Sequence, residues 1–429
     1  MENRYDKYKD SGIAWIGEIP EHWEIGYVGK YFNEVNNRNT LQKETNTLQF
    51  KMGEIVCKSD GNSKYNPESI ESYNIVCPNT IMINGLNLSF DFISQRVALV
   101  KERGAITSAY LAMKPKDGCS PLFLTYLFKS YDYKKVFHSL GKGLRATLNY
   151  NIIRNELIII PPFLEQQSIA TYLDQKCSEI DELITLQEEM ITKLQSYKQS
   201  VITEAVTKGL NKNVPLKDSG IEWIGEIPEH WTFTIFKKFL SEPMQYGANE
   251  PAEECNYNDP RYIRITDIKD DGTLRGDTFK SLPLEKAKEY MLNKGDLLFA
   301  RSGATVGKTF LYKEDYAACF AGYLIKARCN KNKLLPNFVF YYTLSNVYQN
   351  WKNSIFIQST IQNIGADKYS VMPIIVPSLP EQQSIADYLD QKCSEIDALI
   401  SIKQQKIEKL KDYKKSLIFE CVTGKRKVS

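Results

Sequence analysis

Two histidines are the first residues in this chain that could do chemistry. They sit in one setting, met twice: Pro20-Glu21-His22-Trp23 and Pro228-Glu229-His230-Trp231. Imidazole titrates near neutrality and is the commonest proton shuttle in enzymes. The chain holds three histidines among 429 residues, and neither of these two has another close by in sequence. A catalytic pair has nothing to be built from, so both are expected to be structural. Nine cysteines are scattered with no CxxC pair, which points to reduced thiols and away from a disulfide framework or a zinc site.

Two other stretches look reactive and fail on inspection. Gly303-Ala304-Thr305-Val306-Gly307-Lys308-Thr309 is similar to a phosphate-binding loop. That loop needs four residues between its glycines and a helix N-terminus behind it. Here there are three, between two expected strands. Ile160-Pro161-Pro162-Phe163 is similar to the NPPF loop of adenine-N6 methyltransferases. The asparagine that would hold the target amino group is Ile160, and the second half reads Val376-Pro377-Ser378-Leu379 at the same place. Both read as strand terminators. GxGxxG, HExxH and GxSxG are absent, so no catalytic, cofactor or metal site is expected.

Polar residues suited to nucleic acid remain. Arg, Lys, Asn and Gln can make bidentate contacts with base edges, and Lys, Arg, Ser and Thr on loops reach phosphates. In residues 24–164 the candidates are Lys142, Arg145, Thr147 and Asn149 on a basic glycine-containing loop, with Asn84, Asn87 and Arg96 behind them. In residues 232–379 they are Arg301, Ser302 and Lys308 on the glycine-rich turn, with Gln358, Thr360, Gln362 and Asn363 just before the last strand. The loops ahead of the last strand hold equivalent places in the two segments. The net charge of +3 argues for no partner, but its distribution does: the two segments carry +5 and +4, whereas residues 165–209 and 381–423 carry −4 and −1. Basic globular parts that touch a polyanion and acidic helices that do not would give this pattern.

The elements that must position these residues are organised by duplication. Residues 165–184 read EQQSIATYLDQKCSEIDELI and residues 381–400 read EQQSIADYLDQKCSEIDALI, matching at 18 of 20 positions. Residues 10–23 and 218–231 match at 13 of 14. Leu173, Ile180, Gln187, Leu194 and Val201 recur every seven residues, as do Leu389, Ile396, Lys403, Leu410 and Leu417. This predicts coiled-coil seams with Leu183, Met190 and Tyr197 in the companion row. The polar members, Gln187 and Lys403, would pin register. Two unrelated amphipathic helices, each packed on its own domain, are the plainer alternative. Trp15, Ile16, Ile19 and Trp23 are expected to form an apolar cap, with Gly17 and Pro20 ruling out a continuous helix.

In the first segment, strands are expected at 74–76, 80–83, 97–100 and 156–160, and helices at 121–130 and 131–140. In the second, strand–turn–strand is expected at 295–312, one strand at 317–327, a helix at 335–351 and a last strand at 371–376. The expected fold class is α+β. Two mixed α/β domains are expected, joined by two long helices that pair as an antiparallel coiled coil, pseudo-twofold and near-circular. Boundaries fall at 1–164, 165–209, 210–380 and 381–423, with a basic tail at 424–429. A helix of roughly 43 residues spans about 65 Å, so readers at or near its ends would sit one to two turns of duplex apart. With 42% hydrophobic and 25% charged residues, no long apolar run and no leader-like N-terminus, a cytoplasmic protein is expected.

The phrases DSGIEWIGEIPEHW, PEQQSIADYLDQKCSEID and GDLLFARSGATVGKTFLY resemble the specificity subunit of type I restriction-modification systems. The resemblance covers nearly the whole chain in the family's order of domain, helix, domain, helix. It implies a non-catalytic protein that reads an asymmetric, gapped site in double-stranded DNA. It implies as partners two modification (methyltransferase) subunits and two restriction (ATP-dependent translocase/endonuclease) subunits. S-adenosylmethionine, ATP and Mg would belong to those partners, and the helix pair would dock the modification subunits. Two other readings are kept: a coiled-coil protein-binding adaptor without DNA recognition, which salt-insensitive binding would favour, and a silent cassette of the same family that donates domains by recombination.

Overall fold

The computed structural model describes residues 4–40, 42–58, 70–141, 146–252, 255–269, 271–357 and 362–428. The chain divides into two compact units, residues 1–187 with 405–429, and residues 188–404. Two long helices, Phe163–Lys208 and Leu379–Val422, each give their first half to one unit and their second half to the other.

In the first unit, Glu24–Tyr27 pairs antiparallel with Leu157–Ile160. A four-stranded antiparallel sheet runs in the order Phe32–Glu34, Leu111–Pro115, Ile81–Ile83, Val97–Leu99. Successive side chains of a strand face opposite ways, and here both faces are covered. Ile81, Ile83, Val97, Leu111 and Met113 enter the main core, while Met82, Ala98 and Ala112 enter a second one with Leu48, Ile55, Val76 and Ile106. That is why Ile81-Met82-Ile83 is apolar throughout. The second unit repeats the plan with another sequence. Its sheet runs Gln245–Tyr246, Leu324–Arg328, Asp296–Ala300, Thr309–Leu311, with Leu297 and Phe299 in one core and Leu298 and Ala300 in another.

The repeated phrases explain how each domain is fixed to the helices. Tyr8–Asp10 and Glu18–Pro20 form a hairpin, as do Leu216–Asp218 and Glu226–Pro228. Ile16, Ile19 and Trp23 share a core with Leu417, Ile418, Cys421 and Val422 at the end of the second long helix. Ile224, Ile227 and Trp231 do the same with Val201, Ile202, Ala205 and Val206 at the end of the first. A left-handed glycine follows each helix and lies against the repeat: Gly209 (φ +74°) beside Trp231 and Gly424 (φ +71°) beside Pro20 and Trp23. A Cβ at either would be 3.0 Å from Trp231 or 2.2 Å from Pro20, so both the turn and the close approach select glycine. At each helix start a buried glutamine bridges helix and domain. Gln166 accepts from the Ser120 amide at 2.8 Å and donates to the Pro161 carbonyl at 2.9 Å. Gln382 accepts from the Leu335 amide at 2.7 Å and donates to the Pro377 carbonyl at 2.9 Å.

The two repeat histidines, expected to be structural, make matching contacts. His22 pairs with Glu165 at 2.9 Å and His230 with Glu381 at 2.8 Å, fastening hairpin to helix start. Glu381 also accepts from Ser378 Oγ at 2.7 Å and Trp231 Nε1 at 3.2 Å. Burial works against its ionisation, but the hydrogen bonds from His230, Ser378 and Trp231 outweigh it and hold the carboxyl at about 2, below its ordinary 4.5. A depressed carboxylate stabilises the fold above its unfolded value, and that contribution is lost as pH falls through the window from 4.5 to about 2. Glu381→Gln is therefore expected to lower stability at neutral pH and to flatten the second unit's acid sensitivity in that window. Urea unfolding across a buffer series checks it; equal slopes for both proteins refute it.

The long helices run antiparallel within each unit. Lys414 pairs with Asp181 at 2.6 Å in the first unit, and Lys198 with Asp397 at 2.7 Å in the second. Leu173, Ile180, Gln187, Val201, Leu389, Ile396 and Leu417 are buried, and Leu194, Lys403 and Leu410 are half-buried. The companion row differs from the expectation. Leu183, Met190 and Tyr197 are exposed, and the inward row is Cys177, Ile184 and Ile191. A row spaced by seven accepts a partner row three or four residues on, and the helix uses the four-residue step. Three further expectations are corrected. Residues 317–327 are two strands, Ala318–Phe320 and Leu324–Arg328, and the first pairs in parallel with Arg261–Ile263. The 335–351 helix breaks at buried Ser345 into Pro336–Leu344 and Asn346–Ile357. The helix expected at 131–140 starts at Val136, after left-handed Lys135 has ended Pro121–Tyr133.

Candidate nucleic-acid interface

In both units the described candidate readers lie where the sheet's edge hairpin meets the segment before the last strand. In the second unit Asp296–Ala300 runs into the turn 301–308, which returns as Thr309–Leu311. Gly303 and Gly307 have φ of +72° and +85°, and Gly303–Thr305 is a single 3-10 turn, so no helix N-terminus is present to hold a phosphate. The Ile364 amide donates to the Arg301 carbonyl at 2.8 Å, and Ser302 bridges antiparallel to Asn363. Arg301 and Ser302 thus meet Gln362 and Asn363 at one edge, although far apart in sequence. Buried Ile364 anchors the strip while Gln362 and Asn363 stay exposed. The Arg301 guanidinium lies 4.9 Å from the Tyr246 ring centroid and 3.5 Å from the Gly322 carbonyl. Lys308 is half-buried behind the turn. Gln358 and Thr360 lie outside the described residues.

The first unit builds the same junction. The Leu148 amide donates to the Gly85 carbonyl at 2.9 Å, the counterpart of the Ile364–Arg301 bond, and the Leu88 amide donates to the Ala146 carbonyl at 3.1 Å. A Cβ on Gly85 would lie 2.5 Å from the Leu148 carbonyl oxygen, so glycine permits the approach. Thr147 and Asn149 are exposed, and Asn149 Oδ1 also caps Tyr150–Ile153 by accepting from the Ile152 amide at 3.2 Å. Asn87 is exposed at φ +54°. Half-buried Asn84 turns its Oδ1 onto the Leu86 amide at 3.2 Å. Lys142 and Arg145 lie outside the described residues.

Arg96 needs a correction. It is fully buried, and its guanidinium donates to the carbonyls of Asn84, Leu86 and Asp91 at 2.9, 2.8 and 2.6 Å. Its job is to hold the reader loop from within. Asp91, 3.4 Å from it, is kept at about 2, first by hydrogen bonds from Ser94 and least by Arg96. Sequence reasoning missed the aromatic side chains of the interface. Tyr246 and Tyr323 flank Arg301 with 42% and 61% exposure. An exposed tyrosine on a short edge strand has no periodic signal to distinguish it from a core one. Among the described residues, no group of three or more His, Cys, Asp or Glu could hold a metal ion, and no helix is long and apolar enough to cross a membrane.

Two polar junctions of one design thus stand on unrelated sequences, one in each unit, and each unit holds one half of each long helix. The family model described as "Type I restriction modification DNA specificity domain" matches residues 245–412. The type I restriction enzyme MjaVIII specificity subunit of Methanocaldococcus jannaschii is 24% identical over 423 residues, covering 96% of this chain and 94% of that one. In fold, a chain from a structure describing complex assembly and conformational transition of the type I R-M system matches with a TM-score of 0.71 at 16% identity, over 94% of this chain and 98% of that one. The HsdS subunit from Thermoanaerobacter tengcongensis matches with a TM-score of 0.51 at 16% identity, over 95% and 98%. Over nearly its whole length the chain is similar to type I restriction-modification specificity subunits.

Proposed function

We propose that this chain is the DNA-specificity subunit of a type I restriction-modification complex, with each domain reading one half of a gapped, bipartite site. The observation that carries this is the recurrence of the reader junction: the same backbone bond ties hairpin turn to pre-strand segment in both units, with different side chains presented on it. Equal frames with unequal faces are what two half-sites of different sequence require. The helix pair sets the gap, and the ion pairs Lys414–Asp181 and Lys198–Asp397 help fix its register. The chain itself does no chemistry. Two modification subunits, which would hold S-adenosylmethionine, dock along the helices, and two restriction subunits, which would use ATP and Mg, join them in the cytoplasm.

The reading set is Asn84, Asn87, Thr147 and Asn149 with Lys142 and Arg145 in one domain. In the other it is Arg301, Ser302, Lys308, Gln362 and Asn363 with Gln358 and Thr360. Co-expression with the modification subunit and single-molecule mapping of methylated adenines is expected to give one gapped motif. Exchanging residues 24–160 for those of a relative should change one half and leave the other intact. A soluble complex that methylates nothing, or a swap that changes both halves, would refute the reading.

A further inference from the structure

Between Asn87 and Arg96 the first domain carries three apolar side chains in the open: Phe90, Phe92 and Ile93 are 76%, 55% and 93% exposed. Apolar surface left in water on a loop calls for an occupant. Phe92 has one, lying 4.7 Å from the His138 ring at 18°, and His138 Nε2 is in turn hydrogen-bonded to the Asp91 carbonyl at 3.0 Å. Phe90 and Ile93 are the free tips. The loop under them is tied by hydrogen bonds. Arg96 ties three of its carbonyls, and the Asp91 carboxylate accepts from the Ile93 and Ser94 amides at 3.1 and 3.0 Å.

Resting on the function proposed above, we propose that Phe90 and Ile93 form a wedge that enters between two base pairs of the half-site read by the first domain and unstacks that step. Three observations select DNA as the occupant. The loop is hydrogen-bonded through Leu88 to the segment bearing Thr147, so the tips share an edge with the candidate readers. The domain behind them is basic, at +5 over residues 24–164. The tips are also too small for a stable protein contact. Two such side chains offer roughly 300–400 Å², against about 800 Å² per partner in an ordinary interface. Phe and Ile are among the residues that proteins use as wedges, and the unstacking costs a few kcal/mol per step. A loop fixed beforehand loses no ordering entropy on insertion. Among the described side chains of the equivalent turn in the second domain, Arg301 lies over Tyr246 and Val306 is buried, so the wedge is assigned to the first half-site.

The test uses the full chain assembled with its modification subunits, bound to duplexes bearing the complex's own methylation motif. 2-Aminopurine is placed in turn at each position of the first half-site. Emission is expected to rise at one step. Phe90→Ala with Ile93→Ala should abolish that rise and reduce discrimination against a mismatched first half-site roughly tenfold, the size of one mismatched base pair. The slope of affinity against salt, which counts phosphate contacts, should not change. A footprint over the second half-site confirms that the variant is folded and bound. Bound wild type with no brightened step overturns the wedge, and so does a double variant that fails to join the modification subunits, which would make the tips a protein contact. An assembled complex that binds no DNA overturns the proposed function and the wedge together.

Discussion

Arg96→Leu is expected to destabilise the first unit by about 3–5 kcal/mol, the range for breaking a buried, hydrogen-bonded charge. Leucine removes the charge and leaves the half-buried carbonyls of Asn84, Leu86 and Asp91 without their donor. Buried acceptors without donors cost about 1–3 kcal/mol each before relaxation. Arg96→Lys should recover little, because one ammonium cannot reproduce a guanidinium fork that reaches three carbonyls. The functional effect should be local. Asn84, Asn87, Phe90 and Ile93 all ride on that loop, so recognition of the first half-site should fail while the second is still read. Hydrogen exchange on the full chain checks both halves of the claim. Amides of residues 84–99 should lose protection and those of the second unit should keep it. Unchanged protection in 84–99 would show that the loop does not depend on Arg96.

Arg96 also marks where a sequence stops being informative. Arginine is almost never fully buried, and nothing within a few residues of Arg96 announces three carbonyls converging on it. The convergence is made by the loop closing on itself over Asn84, Leu86 and Asp91. The duplicated phrases were readable because near-identity at two places needs no physics to detect. Their apolar residues could be read as a cap, but the packing of that cap on the end of a long helix is long-range and could not. The strands at 74–76, 81–83 and 97–99 were readable from β-branched and apolar runs between turn residues. The coiled-coil row at Leu173, Ile180 and Gln187 was readable from its period, but not the row beside it. Leu183, Met190 and Tyr197 are as apolar as Cys177, Ile184 and Ile191, so composition cannot choose between a step of three and a step of four. Residues 317–327 misled for a related reason. Buried on both sides of the turn at Ala321, they read as one apolar run although the chain reverses partners there, from Arg261–Ile263 to Asp296–Ala300. The reader junctions were half readable. Polar residues on glycine-bearing turns could be seen, whereas the bonds that bring Arg301 to Ile364 and Gly85 to Leu148 are long-range.

Trp23→Ala and Trp231→Ala should each cost about 3–5 kcal/mol, the range for truncating a buried tryptophan, because each ring is buried where hairpin, domain and long helix share a core. The phenylalanine variants should separate the two sites. Trp231 Nε1 donates to Glu381 at 3.2 Å, whereas Trp23 Nε1 is buried with no partner among the described residues, Glu165 being taken up by His22 and Tyr5. Both Trp→Phe changes lose the same ring volume at equivalent places in the repeat, so that cost cancels between them. What remains is one hydrogen bond to a carboxylate. Such bonds are worth about 1.5–3 kcal/mol when well shielded, and the half-exposed Glu381 places this one at the low end. Trp231→Phe should therefore cost about 1–2 kcal/mol more than Trp23→Phe. The difference should vanish in a Glu381→Leu background, which leaves Trp231 Nε1 no acceptor at that position. Unit-resolved hydrogen exchange in urea measures both values on one chain. Equal costs for the two phenylalanine variants would show that the repeats are energetically as well as sequentially alike.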